Sequence, residues 1–364
     1  MKRLAMSRDT MSDLLECTLS VLLAIVLAHW CGAHNVGWAA FSAYMVMRSR
    51  FTDSAMRGGL RILGTAVGAA LALLYGLCLP FSPAALCLAL ALVGGATLYC
   101  ALLSHHGYAW LFTGLTFAMV LVDGMQQTGR AMEAFAKSRF MEVLVGTAAA
   151  VLVSAGAALV RRHAGRAALV KPASATEPVA GPAAGPAIKL RWWQPAALFH
   201  VAQAGIALGL IPWVWYRFGI SSLSQSCITI MAVMMAPLAT LSNLPGLHHS
   251  KSLQRFVGCA VGGLLAIAIL LACHSSMWIM LAGVCIGVLI GRYVENQVAG
   301  FAYVGTQFAL AFLVVLVPDN YGRADAAPGI LRLSGILFGL LLLLPVRLLF
   351  RLLQRGVERR LAGK

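Results

Sequence analysis

Four arginines and one glutamate lie inside or beside long apolar runs of this sequence, where charged side chains are rare. Arg61 and Arg255 each precede an apolar run, and Arg139 and Arg332 precede two others. A planar guanidinium donates paired hydrogen bonds to a carboxylate, so these positions suit an anionic ligand. Glu142 follows Arg139 by three residues, which in a helix allows the two side chains to form an ion pair.

Each of these residues also has a structural explanation. An arginine at the cytoplasmic start of a helix extends to the lipid headgroups and fixes topology, which is the alternative for Arg61 and Arg255. Arg139 and Arg332 fall on the predicted outer side, against the trend of the basic residues, which favours a role in binding. Glu142 must be paired or protonated at its depth, so it is the first proton-relay candidate, with a structural ion pair as the alternative.

Neutral polar residues complete the set of candidates. Tyr303, Gln307 and Thr116 lie within apolar runs and are placed to line a polar path. Membrane helices use the same residue types as interhelical hydrogen-bond partners, which is the alternative. The sequence has no phosphate-binding glycine loop and no cysteine or histidine spacing typical of a metal site. We therefore expect no metal, no cofactor and no enzymatic activity.

The elements that carry these residues are too apolar for a soluble protein. Apolar residues make up 60% of the chain and charged residues 11%, whereas soluble domains have about 25% charged residues. A helix needs about 20 apolar residues to cross the hydrocarbon core. The sequence predicts an all-α polytopic membrane protein with about twelve transmembrane helices, near residues 14–31, 36–47, 60–79, 84–103, 108–122, 140–160, 196–215, 220–241, 256–272, 277–291, 299–317 and 329–350.

The net charge of +16 is explained by topology and not by nucleic-acid binding. With both termini in the cytoplasm, 22 of the 28 Lys and Arg residues fall on the inner side. This distribution is typical of the positive-inside rule. We expect a multi-pass protein of the bacterial inner membrane, in direct contact with the lipid bilayer.

One segment of the sequence occurs twice. "RILGTAVGAALA" begins at Arg61 and "RFVGCAVGGLLA" at Arg255, with seven of twelve positions identical. Both copies contain G-x-x-x-G, a pattern that lets two helix backbones approach closely. We therefore expect helix-packing roles for four glycines, namely Gly64, Gly68, Gly258 and Gly262.

The repeat divides the chain into two six-helix halves of parallel orientation. The predicted domains are the first membrane half at 1–162, a cytoplasmic Pro/Ala/Gly-rich linker at 163–191, the second half at 192–351 and a basic cytoplasmic tail at 352–364.

Two stretches resemble the fusaric acid resistance-like family, which includes the aromatic acid exporters. "VGWAAFSAYMVMRSRFTDSAMRGGLRILGTAVGAALALL" is similar to the first-half signature, and "FAYVGTQFALAFLVVLVPDN" with "GILRLSGILFG" is similar to the second-half pattern. The resemblance implies export of small, often aromatic, organic acids across the inner membrane. By the same resemblance, the proton is the expected coupling ion and a periplasmic adaptor the expected partner, with an outer-membrane channel and a second copy of the chain as further partners.

Of three candidate functions, two are compatible with these observations. The repeat and the off-trend outer arginines favour a secondary exporter of organic acids. The alternative is a non-transporting membrane scaffold subunit of an envelope complex, in which the G-x-x-x-G segments would serve assembly. An intramembrane enzyme would need clustered His, Asp or Cys at mid-depth, and the sequence shows no such cluster.

Overall fold

A computed structural model describes residues 8–126, 129–163, 193–220, 223–235, 247–272 and 276–362. The predicted linker at 163–191 lies, apart from its first residue, outside the described residues, as do the end of the eighth predicted span and the last two residues of the tail.

Regular structure in the described part of the chain is helical. The helices in chain order are α1 (Arg8–Trp30), α2 (Val36–Val46), α3 (Phe51–Cys78), α4 (Pro83–Leu103), α5 (Gly107–Gln126), α6 (Gly129–His163), α7 (Pro195–Phe218), α8 (Leu223–Met234), α9 (Leu247–Ala272), α10 (Met277–Gln297), α11 (Ala302–Leu316) and α12 (Ala327–Ala362). One 3₁₀ turn, Tyr321–Arg323, precedes α12. The prediction of an all-helical chain is confirmed.

Nine of the described helices are long and apolar enough to cross a membrane, so the chain is a multi-pass membrane protein. The other three are short: α2, α8 and α11 have 11, 12 and 15 residues. At 1.5 Å per residue such helices reach only about 17–23 Å, less than the hydrocarbon core of about 30 Å. All twelve predicted spans overlap helices, but three of these helices are shorter than a membrane crossing.

Several helices start earlier than hydropathy predicts, which corrects the placement of two arginines. The predicted spans began at residues 60 and 256, but α3 starts at Phe51 and α9 at Leu247. The expected position at helix starts is therefore wrong, and so is the alternative in which Arg61 and Arg255 extend to headgroups: both are well inside their helices, with 2% and 3% of their surface exposed. A hydropathy window ends at charged residues, whereas the helix continues where protein surrounds the charge.

The described chain forms two compact units. Unit 1 contains Met1–Thr65, Lys137–Val179 and Leu253–Leu333. In it α1 packs on α2 and α10, and α11 packs on α2 and α10. Its apolar core includes Val21, Tyr44, Val284 and Leu313.

Unit 2 contains Ala66–Ala136, Ala180–Ser252 and Ser334–Lys364. In it α7 packs on α8 and α4, and α5 packs on α8 and α4. Each unit thus contains helices from both predicted halves of the sequence. The two six-helix halves therefore do not coincide with the two units, and the repeat that defines the halves stays a prediction.

The repeated glycines lie where helices touch. A Cβ added to Gly258 would lie 2.6 Å from the Val304 carbonyl oxygen of α11, and one added to Gly262 would lie 2.6 Å from that of Phe308. In unit 2 a Cβ on Gly68 would collide with the Thr113 carbonyl of α5. Gly64 is buried. Close approach of α9 to α11 and of α3 to α5 therefore depends on the absence of side chains at these positions.

Helix α2 begins at a turn that another segment completes. Asn35 precedes it with φ of 63°, and the Asp319 carboxylate accepts a 2.7 Å hydrogen bond from the Val36 N–H. A Cβ on Gly37 would lie 3.0 Å from the Val317 carbonyl oxygen, so α2 lies against the end of α11 almost backbone to backbone. These contacts fix the helix on which the site described next is built.

Candidate functional site

Buried charge is confined to one of the two units. Among residues whose side chains the structure describes, every buried Arg, Lys, Asp or Glu belongs to unit 1: Asp13, Glu16, Arg61, Arg139, Glu142, Arg255, Arg292, Glu295 and Arg332. Ionisable side chains at membrane depth are costly and mark ligand or ion pathways more often than structural positions. Unit 1 is therefore the region in which to look for a functional site.

Three aromatic residues of α2 organise these charges. Trp38, Phe41 and Tyr44 follow one another at intervals of three residues, so they lie along one side of the helix. Phe41 and Tyr44 are 8% and 1% exposed. Each side chain contacts a different charged group.

Two arginines from distant parts of the sequence converge on Phe41. The guanidinium carbons of Arg61 and Arg332 each lie 5.7 Å from the centre of its ring. This separation is within the range of a cation–π contact. Arg61 also donates a 3.1 Å hydrogen bond to the Ser42 hydroxyl, which lies beside Phe41 on α2. Two positive charges are thus held at one aromatic side chain.

A third arginine joins them through neutral partners. Arg255 donates hydrogen bonds to the Tyr303 hydroxyl at 3.2 Å and to the Gln307 amide oxygen at 3.0 Å. The Cys259 thiol lies 3.4 Å from the same amide oxygen and also contacts the Arg332 guanidinium. We call Arg61, Arg255 and Arg332, with Phe41, Ser42, Cys259, Tyr303 and Gln307, the arginine cluster.

Arg332 is a buried cation of this cluster whose charge no nearby carboxylate of the described residues neutralises. It is 3% exposed, and its Nε has no hydrogen-bond partner. No carboxylate in the described part of the chain lies within 4.0 Å of it. A buried, uncompensated cation is costly, so an anion placed beside it would be strongly stabilised.

The predicted ion pair of α6 is present. Arg139 Nη2 lies 3.1 Å from Glu142 Oε2, and the guanidinium carbon lies 4.3 Å from the centre of the Trp38 ring. Glu142 Oε1 also accepts hydrogen bonds from Ser138 at 2.6 Å and from Asn35 at 3.3 Å. Glu142 thus has one guanidinium and two neutral donors of its own.

The structure groups the predicted residues unevenly. Arg61, Arg255, Arg332, Tyr303 and Gln307 meet in the arginine cluster. Arg139 and Glu142 are also in unit 1, at the next aromatic ring of α2. Thr116 belongs to unit 2, where it packs against Gly68, and it is not part of this cluster.

Sequence reasoning missed a second group of charges, at the other end of α2. Arg292 Nε and Nη2 donate to the two Asp13 oxygens at 2.8 and 3.0 Å. Arg292 Nη1 also lies 3.4 Å from Glu295 Oε1, and Tyr44 donates a 2.7 Å hydrogen bond to Glu295 Oε2. Asn296 donates to Asp13 at 2.7 Å. We call these five residues the carboxylate network.

Three signals in the sequence could have revealed this network. Arg292 is one of the basic residues on the predicted inner side, and Glu295 follows it at helical ion-pair spacing next to an apolar run. Asp13 is likewise an acid at the start of the first apolar run. The aromatic interval on α2 was a further signal, because it marks one face of a short helix.

The segment between α11 and α12 closes the opposite end of α2. Tyr321 stacks on His29 with ring centres 5.8 Å apart, and burial raises the pKa of Tyr321 to about 12. The phenol therefore stays neutral at physiological pH. Asp319, two residues earlier, caps the helix as described above.

Comparison with known proteins gives one family. The model of the fusaric acid resistance protein-like family matches residues 23–153 and 230–346, one segment in each predicted half. No curated protein and no solved structure matches the chain. The match contains α2, α11 and all three arginines of the arginine cluster. This membrane chain, with its buried arginines gathered around one short helix, belongs to the fusaric acid resistance protein-like family.

Proposed function

We propose that the protein is a secondary transporter of the bacterial inner membrane that exports small organic acid anions, with aromatic carboxylates as the preferred class and the proton gradient as the driving force. The observation that carries the proposal is the arginine cluster. Arg332, buried and without a carboxylate partner among the described residues, meets Arg61 at the Phe41 ring. Such a site attracts an anion out of water.

The chemistry of the cluster suits a carboxylate attached to an apolar group. Guanidinium groups donate in the geometry that a carboxylate accepts. Phe41 and Cys259 supply apolar surface beside those donors, and the Tyr303 hydroxyl adds a neutral polar group. A ligand that pairs an anionic head with an apolar body would satisfy both parts.

Arg139 and Glu142 form a second step on the same helix. Because Glu142 already neutralises Arg139, a passing anion would have to compete with that carboxylate. We infer that this pair admits or releases the anion. Whether Glu142 also relays protons stays a prediction, tested by the pH dependence of transport in Glu142→Gln.

The contacts that the repeated glycines make favour export over a scaffold role. Gly258, Gly262 and Gly68 pack against α11 and α5 of their own chain. These G-x-x-x-G segments thus have intramolecular partners, which removes the reason to reserve them for assembly. A periplasmic adaptor, an outer-membrane channel and a second copy of the chain are partners that we propose from family membership alone.

The topology belongs to the same proposal. Cytoplasmic termini and a cytoplasmic linker place 22 of 28 basic residues inside. A cysteine introduced at residue 180 should react with membrane-impermeant reagents only after the cells are opened. Labelling of intact cells at this position would contradict the arrangement of two six-helix halves.

The test of function is efflux of radiolabelled benzoate from proteoliposomes at equal pH on both sides, with passive leakage subtracted using protein-free liposomes. Arg332→Gln should lower the efflux rate by about 10–100-fold, since a hydrogen bond to a charged group contributes about 1.5–3 kcal/mol. Arg217→Gln is the matched control, because Arg217 is an exposed arginine of α7. Equal efflux in wild type and Arg332→Gln would show that the cluster does not bind the anion.

A further inference from the structure

We propose that the C-terminal end of α12 binds an anionic phospholipid, whose phosphate is held by Arg347 and Arg351 and whose acyl chains lie on the leucines between them. The site belongs to unit 2, whereas the arginine cluster and the carboxylate network belong to unit 1. It does not depend on the proposed transport function.

Arginines recur at intervals of four residues along the end of α12. Arg347 and Arg351 are both partly exposed, and in the sequence Arg355 and Arg359 follow at the same spacing. The backbone of α12 continues to Ala362, so this part of the chain is helical. Residues four apart share one face of a helix, and like charges at that spacing repel each other. An anion on this face is therefore stabilised.

Arg347 lies in positively charged surroundings. Arg351 is close enough to Arg347 for the two charges to repel, and Arg347 also repels a positive charge on His200 of α7. The rings of Phe199 and Phe350, with centres 4.8 Å apart, hold these turns of α7 and α12 together. A phosphate that accepts hydrogen bonds from both guanidinium groups removes the repulsion between them.

The side chains between the arginines are apolar. Four leucines alternate in pairs with the arginines and are each more than half exposed: Leu348, Leu349, Leu352 and Leu353. A contiguous exposed apolar surface of this kind is typical of a binding surface for a protein or a membrane. A free phosphate satisfies only the arginines, whereas a phospholipid places acyl chains on the leucines as well. The leucines therefore favour a lipid as the source of the phosphate.

The length of α12 places its arginines at the level of the lipid headgroups. Its 36 residues span about 54 Å, whereas the hydrocarbon core is about 30 Å thick. A helix that enters the core at its first turn leaves it about 20 residues later, which is close to Arg347. In the predicted topology this end is cytoplasmic, and the anionic lipids of the cytoplasmic leaflet attract basic segments.

Charge decides which lipid fits this site. Phosphatidylcholine carries a trimethylammonium group beside its phosphate, and this cation is repelled by the arginines. Phosphatidylglycerol has no such cation and a net negative charge, so it is the better ligand. The contribution of one basic residue near an anionic lipid surface corresponds to about 5-fold in affinity.

The experiment is a titration of the purified full-length protein, in an uncharged detergent, with dioctanoyl phosphatidylglycerol. The measurement is the midpoint of thermal unfolding, because a ligand that binds only the folded protein raises it, and the concentration dependence gives the apparent affinity. Phosphatidylglycerol should raise the midpoint. Dioctanoyl phosphatidylcholine and inorganic phosphate should each raise it much less at the same concentration.

Variants locate the site. Arg347→Gln and Arg351→Gln should each weaken the apparent affinity for phosphatidylglycerol about 5-fold, and the double variant should weaken it further. Arg217→Gln is the matched control, since Arg217 is an exposed arginine in the last turn of α7, and it should retain the affinity of wild type. Each shift is measured against the same variant without lipid, so a change in basal stability does not affect the comparison.

Three results would overturn the inference. Equal shifts with the two lipids would show that charge does not select the ligand. An equal shift with inorganic phosphate would make this a site for a free anion, in which the leucines have no role. Unchanged affinity in the double variant would place the bound lipid elsewhere on the protein.

Discussion

Units 1 and 2 share a pattern of helix packing and differ in charge. In unit 1, α1 contacts α2 and α10, and α11 contacts the same two helices; in unit 2, α7 contacts α8 and α4, and α5 contacts the same two. Every buried charged side chain that the structure describes is nevertheless in unit 1. The same arrangement of helices thus folds around either charged or apolar residues, and function has to be sought in the side chains.

Individual positions make the comparison concrete. Gly146 packs on Ala39 and Ser42 of α2, and Gly339 packs on Ser226 and Thr229 of α8. Ala39 and Ser42 lie 187 residues before Ser226 and Thr229, and Gly146 lies 193 residues before Gly339. This correspondence supports the proposed repeat, and it aligns the two short helices.

The aligned residues have opposite chemistry. At the offset of 187 residues, Gln225, Ile228 and Met231 of α8 take the places of the three aromatic residues of α2. His200 takes the place of Asp13. Arg292 lies 3.4 Å from the Met47 carbonyl at the end of α2, and His200 lies 2.8 Å from the Met234 carbonyl at the end of α8. The end of each short helix thus contacts an ionisable side chain. Of these two side chains, only Arg292 in unit 1 belongs to a group of charges.

The largest expected effect is a loss of folded protein, and it is the same for glycine substitutions in either unit. Gly68→Leu, Gly258→Leu and Gly262→Leu should each leave little folded protein, because the first atom of the new side chain already meets backbone. The measurement is the yield of monodisperse protein in detergent.

Gly156→Leu is the control for this prediction. Gly156 is also a helical glycine, but an added Cβ meets nothing within 4 Å. Its yield should equal that of wild type, and a loss there would mean that leucine harms any helix of this chain.

The next largest expected effect is a loss of stability at a position where the two units differ in charge. Arg292→Leu copies Leu98, the residue 194 positions earlier in unit 2, and leaves Asp13 and Glu295 buried without their guanidinium. Loss of one partner from a buried pair costs about 3–5 kcal/mol. The midpoint of thermal unfolding in detergent should fall sharply.

A triple variant tests whether the unpaired buried charges cause this loss of stability. Adding Asp13→Asn and Glu295→Gln to Arg292→Leu removes the buried negative charges, so most of the lost stability should return. A triple variant no more stable than Arg292→Leu would mean that shape, and not charge, sets the cost at this site.

A smaller effect compares arginines within unit 1. Arg61→Gln and Arg255→Gln should each weaken benzoate binding by less than Arg332→Gln does. Glutamine can still donate to Ser42 or Tyr303, and the other two guanidinium groups remain. Equilibrium binding of radiolabelled benzoate gives the order, and a weaker effect at Arg332 than at Arg61 would contradict it.

The smallest effect belongs to unit 2. His200→Gln should change the unfolding midpoint little, because a glutamine amide can also donate to the Met234 carbonyl, and a neutral hydrogen bond contributes about 0.5–1.5 kcal/mol. Benzoate binding should be unchanged. A loss of binding would show that the apolar unit also takes part in transport.

Much of the fold is determined by the sequence. Composition and apolar run length predicted helices that overlap the observed ones, because a bilayer accepts only chain segments whose backbone groups are satisfied internally. Helix starts were less predictable, since a hydropathy criterion stops at Arg61 or Arg255 while the helix does not. The glycine spacing correctly marked positions of close helix contact for Gly68, Gly258 and Gly262.

The candidate site was predictable only in part. The repeat singled out the arginines of the cluster, and helical spacing gave the pair of Arg139 with Glu142, because these inferences need only local or aligned positions. That Arg61 and Arg332 share the Phe41 ring, or that Asp13 and Glu295 share one arginine, depends on residues more than 250 positions apart meeting in space. Sequence spacing sets neighbours along one helix, whereas the packing of α1, α10 and α11 on α2 decides which charges meet and which of them is left uncompensated.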